Sequence, residues 1–134
     1  MKQIIIFISY LLLLTSCNKN SKMSLEKSEA LSLKNITLAK EACDSDMTWL
    51  SDIITKATED RVSSKYLGAY RGTIFLTTYK NSPIFIIDMM LNSGGVMFHA
   101  FDCKHQVIPF TSDEAVSFYA ETKVDGKIIY TNIP

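Results

Sequence analysis

His99, Asp102, Cys103 and His105 are the densest group of reactive side chains in the chain. Two chemistries use such residues. A zinc ion could take His99, Cys103 and His105 with a fourth ligand from elsewhere. Alternatively, Cys103 could act as a nucleophile with His99 or His105 as its base, which requires a free thiolate. The spacing matches no established zinc pattern. On an extended strand, His99 and Cys103 share one face and Asp102 takes the other. The plainer reading is a strand end and turn with two surface histidines. No G-x-S-x-G elbow, phosphate-binding loop or H-E-x-x-H occurs. Asp88, alone in the apolar run "IFIIDMM", reads as a strand residue on the solvent face, with a binding-site carboxylate as the alternative. The expectation is therefore no cofactor, no metal and no catalytic residue, with an enzyme or metal site around His99–His105 as the competing class.

The third cysteine has a different setting. Met1-Lys2-Gln3 leads into Ile4–Leu14, an apolar run broken only by Ser9 and Tyr10. Such a run is too short to span a bilayer, which takes about 20 apolar residues, and is the length of an export signal. It ends in Leu14-Thr15-Ser16-Cys17, which resembles a bacterial lipoprotein signal: an apolar residue, two small ones and a cysteine. The resemblance implies a signal peptide over 1–16, cleavage before Cys17, and lipid attachment at that residue. Several acyl chains, at about 0.8 kcal/mol per buried methylene, hold a protein stably on a membrane. The implied location is the cell envelope. By resemblance to the sorting rules of other bacterial lipoproteins, Asn18 in place of Asp after the anchor implies the outer membrane, facing the periplasm.

Composition narrows the partners. The chain has 14 basic and 14 acidic side chains, and losing Lys2 with the signal leaves it nearly neutral. No basic stripe supports nucleic-acid binding. The membrane, through the lipid, and a protein are the expected partners. In an oxidising compartment Cys43 and Cys103 are expected to pair, closing a loop that contributes roughly 4 kcal/mol, with two buried free thiols as the alternative.

The elements that must position these residues are legible in part. Residues 17–43 read as a tether, polar at first and without clean periodicity over 25–41. A single α+β domain follows over 44–134. In "DSDMTWLSDIITKATEDRV", Asp44, Ser45 or Asp46 can cap a helix whose Trp49, Leu50, Ile53, Ile54 and Ala57 line one face. Asp52, Lys56, Glu59 and Asp60 should then face water. "GTIFLTTYK", "IFIIDMM", "VMFHAFD" and "VIPF" read as consecutive antiparallel strands, with Pro109 placing the last at an edge. Thr111 and Glu114 are spaced as a capping box for a short second helix, and "KIIYTNI" reads as a final strand. The expected fold is one main helix on a four- to five-stranded meander sheet, in a cystatin-like layout. Its second face is covered by the short helix or left to a ligand.

Trp49-Leu50-x-x-Ile53-Ile54, Tyr79-Lys80 with Pro83-Ile84-Phe85, and Phe101-Asp102-Cys103 with Val107-Ile108 resemble, in that order, a family of small Bacteroidota lipoproteins of unassigned function. The similarity covers about Met47 to Ile108. The chain departs from it at Lys104-His105-Gln106, where the family has a glycine, and lacks the family's further cysteines and glycine-rich tail. The resemblance implies an envelope lipoprotein and carries no activity. The functional expectation is a non-catalytic protein that binds a protein or small ligand through its sheet face or loops. An immunity or inhibitor protein against a toxin or hydrolase is the sharper alternative.

Overall fold

The computed structural model describes residues 35–91 and 98–133. The compact unit runs from Asn35 to Pro134. Within it, helical residues 35–43 (α1) precede a helix at Thr48–Ser63 (α2). Three strands follow, Gly72–Tyr79 (β1), Ser82–Met89 (β2) and His99–Asp102 (β3). A helix at Ser112–Asp125 (α3) and a strand at Lys127–Thr131 (β4) complete the order. The architecture is α+β, with one four-stranded antiparallel sheet in the order β3-β2-β1-β4.

Local sequence explains the hairpin at the centre. Tyr79 pairs with Ser82, leaving Lys80 and Asn81 as a two-residue loop with φ of 49° and 64°. Positive φ at both positions is the turn whose twist matches that of paired strands. β2 therefore begins two residues earlier than the apolar run suggests. Pro83 fits there because β3 pairs with β2 only from Ile84 onward.

Both sheet faces are covered. On the first, α1 and α2 bury Ala39, Met47, Leu50, Ile54 and Ala57 against Ile74, Phe85, Ile87, Met89, Ile129 and Tyr130. On the second, Phe75, Ile84, Ile86, Phe98, Ala100 and Tyr119 form a separate cluster, closed by Ile108, Phe110 and Phe118. Each fully buried Phe or Ile contributes about 1.5–3 kcal/mol relative to exposure, so Phe85, Ile86 and Ile87 in sequence fix β2 as an inner strand, covered on both faces. A one-residue slip would move every side chain to the opposite layer.

The structure departs from the sequence reading at several places. Residues 35–43, expected in the tether, are helical, and Ala39 is fully buried. Asn35 Nδ2 donates to the carbonyl of Ile129 at 3.1 Å, fastening this helix to β4. α2 starts at Thr48 from Met47, a left-handed residue with no side-chain cap. Met47 instead buries its side chain completely. Of the expected caps, Asp46 accepts from Thr48 N at 3.3 Å. "VIPF" is no strand. Val107 makes a single bridge to Phe101, since Pro109 has no N–H to continue a ladder. The last strand does not extend the meander but returns beside β1, with a bulge between Ile74 and Phe75. α3 is nearly as long as α2, so there is no single main helix. Its capping box forms as expected, with Thr111 and Glu114 each accepting from the other's backbone.

Candidate functional site

α2 is about 24 Å long by its rise per residue. Its two ends carry the two most organised surfaces in the described residues.

At its start, the turn after β3 is held from four directions. Cys43 and Cys103 are joined by a disulfide, with Cα atoms 5.5 Å apart and 60 residues between them in sequence. The Trp49 indole N–H donates to the Cys103 carbonyl at 3.3 Å. The Asp102 carboxylate accepts from the backbone N–H of Lys104 and of Gln106, both at 2.8 Å. Gln106 O then accepts from Asp102 N at 2.9 Å. His105 takes a left-handed conformation with φ of 62°, which lays its ring flat on Trp49 with centroids 4.5 Å apart and planes 6° from parallel. Phe101 packs against both rings, at 5.8 Å from Trp49 and 4.7 Å from His105. Phe85 supports Trp49 edge-on from the core at 5.3 Å. Exposed Lys104, His105, Gln106 and Val107 crown this turn.

This arrangement decides where the reactive residues stand. His99 lies opposite Ile87, on the first face with Phe101, and Asp102 follows on the other side of β3. His99 and His105 each pack against the Phe101 ring, with centroids 6.3 and 4.7 Å from it. Cys103, bonded to Cys43, has no thiolate to offer. Among the described residues, no group of three His, Cys, Asp or Glu side chains gathers as metal ligands. Cys17 and residues 18–34 lie outside the described residues.

Asp88 is not a solvent-face residue. It is half-buried on the second face, where its carboxylate accepts from the Tyr119 hydroxyl of α3. Burial and then the bond to Asp88 push the Tyr119 hydroxyl well above the ordinary range. Phe98 stacks on the Tyr119 ring at 5.1 Å and Lys123 Nζ lies 4.6 Å from its centroid. The pair closes α3 onto β2.

The far end of α2 was hidden from sequence reasoning. Asp60, expected in water, is 2% exposed. Its carboxylate accepts from the N–H groups of Tyr66, Gly68 and Tyr70 at 2.9, 3.1 and 3.0 Å. Burial raises this carboxyl's pKa. The donors of Tyr70, Gly68 and Tyr66, with Arg71 nearby, outweigh that and leave it below its ordinary value. The intervening N–H groups are satisfied within the loop, Leu67 to Ser64, Ala69 to Tyr66 and Arg71 to Gly68. Buried Asn132 completes the brace. Its amide donates to Ala57 O and Tyr70 O and accepts from Gly72 N at 2.8 Å. The only sequence signal is Asp60 followed by Gly68, too common a pattern to interpret.

No family model, curated protein or solved structure matches the chain. No helix among the described residues is long and apolar enough to cross a membrane.

Proposed function

We propose that this protein is a non-catalytic lipoprotein of the cell envelope, held by lipid at Cys17, that binds a protein partner through the turn at residues 102–107. The supporting observation is the bracing of that turn. A disulfide, an indole hydrogen bond, an Asp102 clamp and the Trp49–His105 stack order the segment before any partner arrives. Preorganisation of this kind removes part of the entropy cost of association. The covering of both sheet faces directs the reading to loops and away from an open sheet face.

The anchor part of the reading rests on the Leu14–Cys17 pattern and is tested by radiolabelled palmitate. Label should enter the wild type and be lost in Cys17→Ala. The binding part is tested by affinity capture from a detergent-solubilised envelope fraction. Wild type should retain a partner in a fixed ratio, and Gln106→Arg should lose it with the melting temperature unchanged. Equal capture by both would place the contact elsewhere. A secreted toxin or hydrolase recovered as that partner would specify an inhibitor.

A further inference from the structure

The loop between α2 and β1 displays a leucine that serves no folding purpose. Leu67 is 94% exposed and has a φ of 56°. Left-handed backbone is costly for a branched side chain and cheap for Gly or Asn. Leu67 thus adds neither burial nor backbone ease to the folded state. Around it, the loop is among the most constrained segments of the molecule. Every N–H from Tyr66 to Gly72 donates to an identified acceptor, four of them to Asp60 or Asn132 side chains. An observed outlier held this firmly points toward function.

The surroundings indicate what Leu67 meets. Val62, in the last turn of α2, is 66% exposed. Arg61, Lys65 and Arg71 are exposed on the same segment. Against them stand two carboxylates, Asp60, which is buried and satisfied, and Glu59, which pairs with Lys65 at 2.8 Å. The balance is cationic around a small apolar tip. Two aliphatic side chains are far short of the core of a stable protein interface, which buries about 800 Å² on each partner. They match the demand of a lipid headgroup layer, which accepts single apolar insertions and attracts nearby Arg and Lys.

We propose that the loop at residues 64–71 is a membrane contact, inserting Leu67 among the headgroups of an anionic bilayer while Arg61 and Arg71, which lie outside the Lys65–Glu59 pair, meet the lipid phosphates. This contact goes beyond the function proposed above. It lies at the other end of α2 from the braced turn and needs no lipid on Cys17. A membrane held here presents the far pole outward.

The test uses residues 18–134, which lack the apolar run and Cys17 but contain the whole compact unit, with vesicles of equimolar phosphatidylcholine and phosphatidylglycerol. Cosedimentation should show binding that weakens with added salt and is much weaker on pure phosphatidylcholine. Leu67→Asn should reduce it roughly tenfold or more, the effect of losing one buried leucine, while raising the melting temperature because Asn suits the left-handed backbone. Arg61→Glu with Arg71→Glu should reduce binding to the anionic vesicles alone. Wild-type chain that fails to sediment with anionic vesicles at low salt, or Leu67→Asn that sediments as well as wild type, would overturn the proposal. Palmitate labelling at Cys17 is unaffected by either outcome, so the two readings fail separately.

Discussion

Replacing Cys43 and Cys103 together with Ser should cost a large part of the stability of this domain. The bridge closes a loop with a sequence separation of 60. Chain entropy puts the loss at about 4 kcal/mol when the unfolded chain regains that freedom. A domain of some 100 residues has an unfolding entropy of roughly 0.2 kcal/mol/K, so the melting temperature should fall by roughly 15–20 °C. Guanidinium unfolding followed by fluorescence of Trp49, the single tryptophan, is a direct assay. The indole sits against Cys103 and His105, so its signal reports the affected region itself. Single replacements should each cost about as much as the double, because either one removes the whole cross-link. Dithiothreitol should lower the wild-type midpoint to near that of the double variant and leave the double variant unmoved. A double variant within about 1 kcal/mol of wild type would refute the entropic reasoning, as would a midpoint indifferent to reduction.

Other perturbations probe other joints. Asn132→Ala leaves Ala57 O, Tyr70 O and Gly72 N without partners in a buried setting and should cost roughly 2–4 kcal/mol by denaturant unfolding. Gly72→Ala would set a Cβ 1.7 Å from the Asp88 carbonyl at a φ of 151°, and should cost roughly 3 kcal/mol or more or leave no folded protein, seen by circular dichroism. Asp60 has a depressed pKa in the folded state, so its contribution is present above the unfolded carboxyl value and is lost as pH falls through the folded one. Melting temperature should therefore drop on acidification below about pH 4, and Asp60→Asn should start lower at neutral pH and show a flatter acid limb. His105→Ala should uncover one face of Trp49, shift its emission to longer wavelength and destabilise the fold by about 1 kcal/mol as the stack is lost.

Periodicity carried the elements it could carry. Leu50, Ile54 and Ala57 line the buried face of α2 as their spacing requires, with Trp49 and Ile53 at its margin. The Thr111–Glu114 box marks the start of α3 because a cap is a local device. The α+β class and the Cys43–Cys103 pair follow from similarly direct signals, strand-like apolar runs and two leftover cysteines. What escaped is what depends on partners distant in sequence. Residues 35–43 show no clean face of their own, and only contact with Ile129 and the core makes them part of the domain. Asp60 looks like any charge on an exposed helix face until the chain doubles back and offers it three N–H groups. Asp88 looks solvated until α3 brings Tyr119 over it. β4 returns to β1 because the return buries Ile129 and Tyr130, a choice no local run of residues announces. The exposed candidate residues illustrate the same limit. His99 and His105 read as a reactive pair by spacing, yet each is packed against the Phe101 ring, a contact that only the strand and the left-handed turn create.

The sharpest examination of the proposed contact is made in place. A photoreactive residue at Gln106, in the full chain expressed in its own envelope, should on illumination join covalently to one protein species, whereas the same residue at Val116 on the exposed side of α3 should not. Comparable crosslinking from both positions, or none from Gln106, would contradict a partner bound at the braced turn.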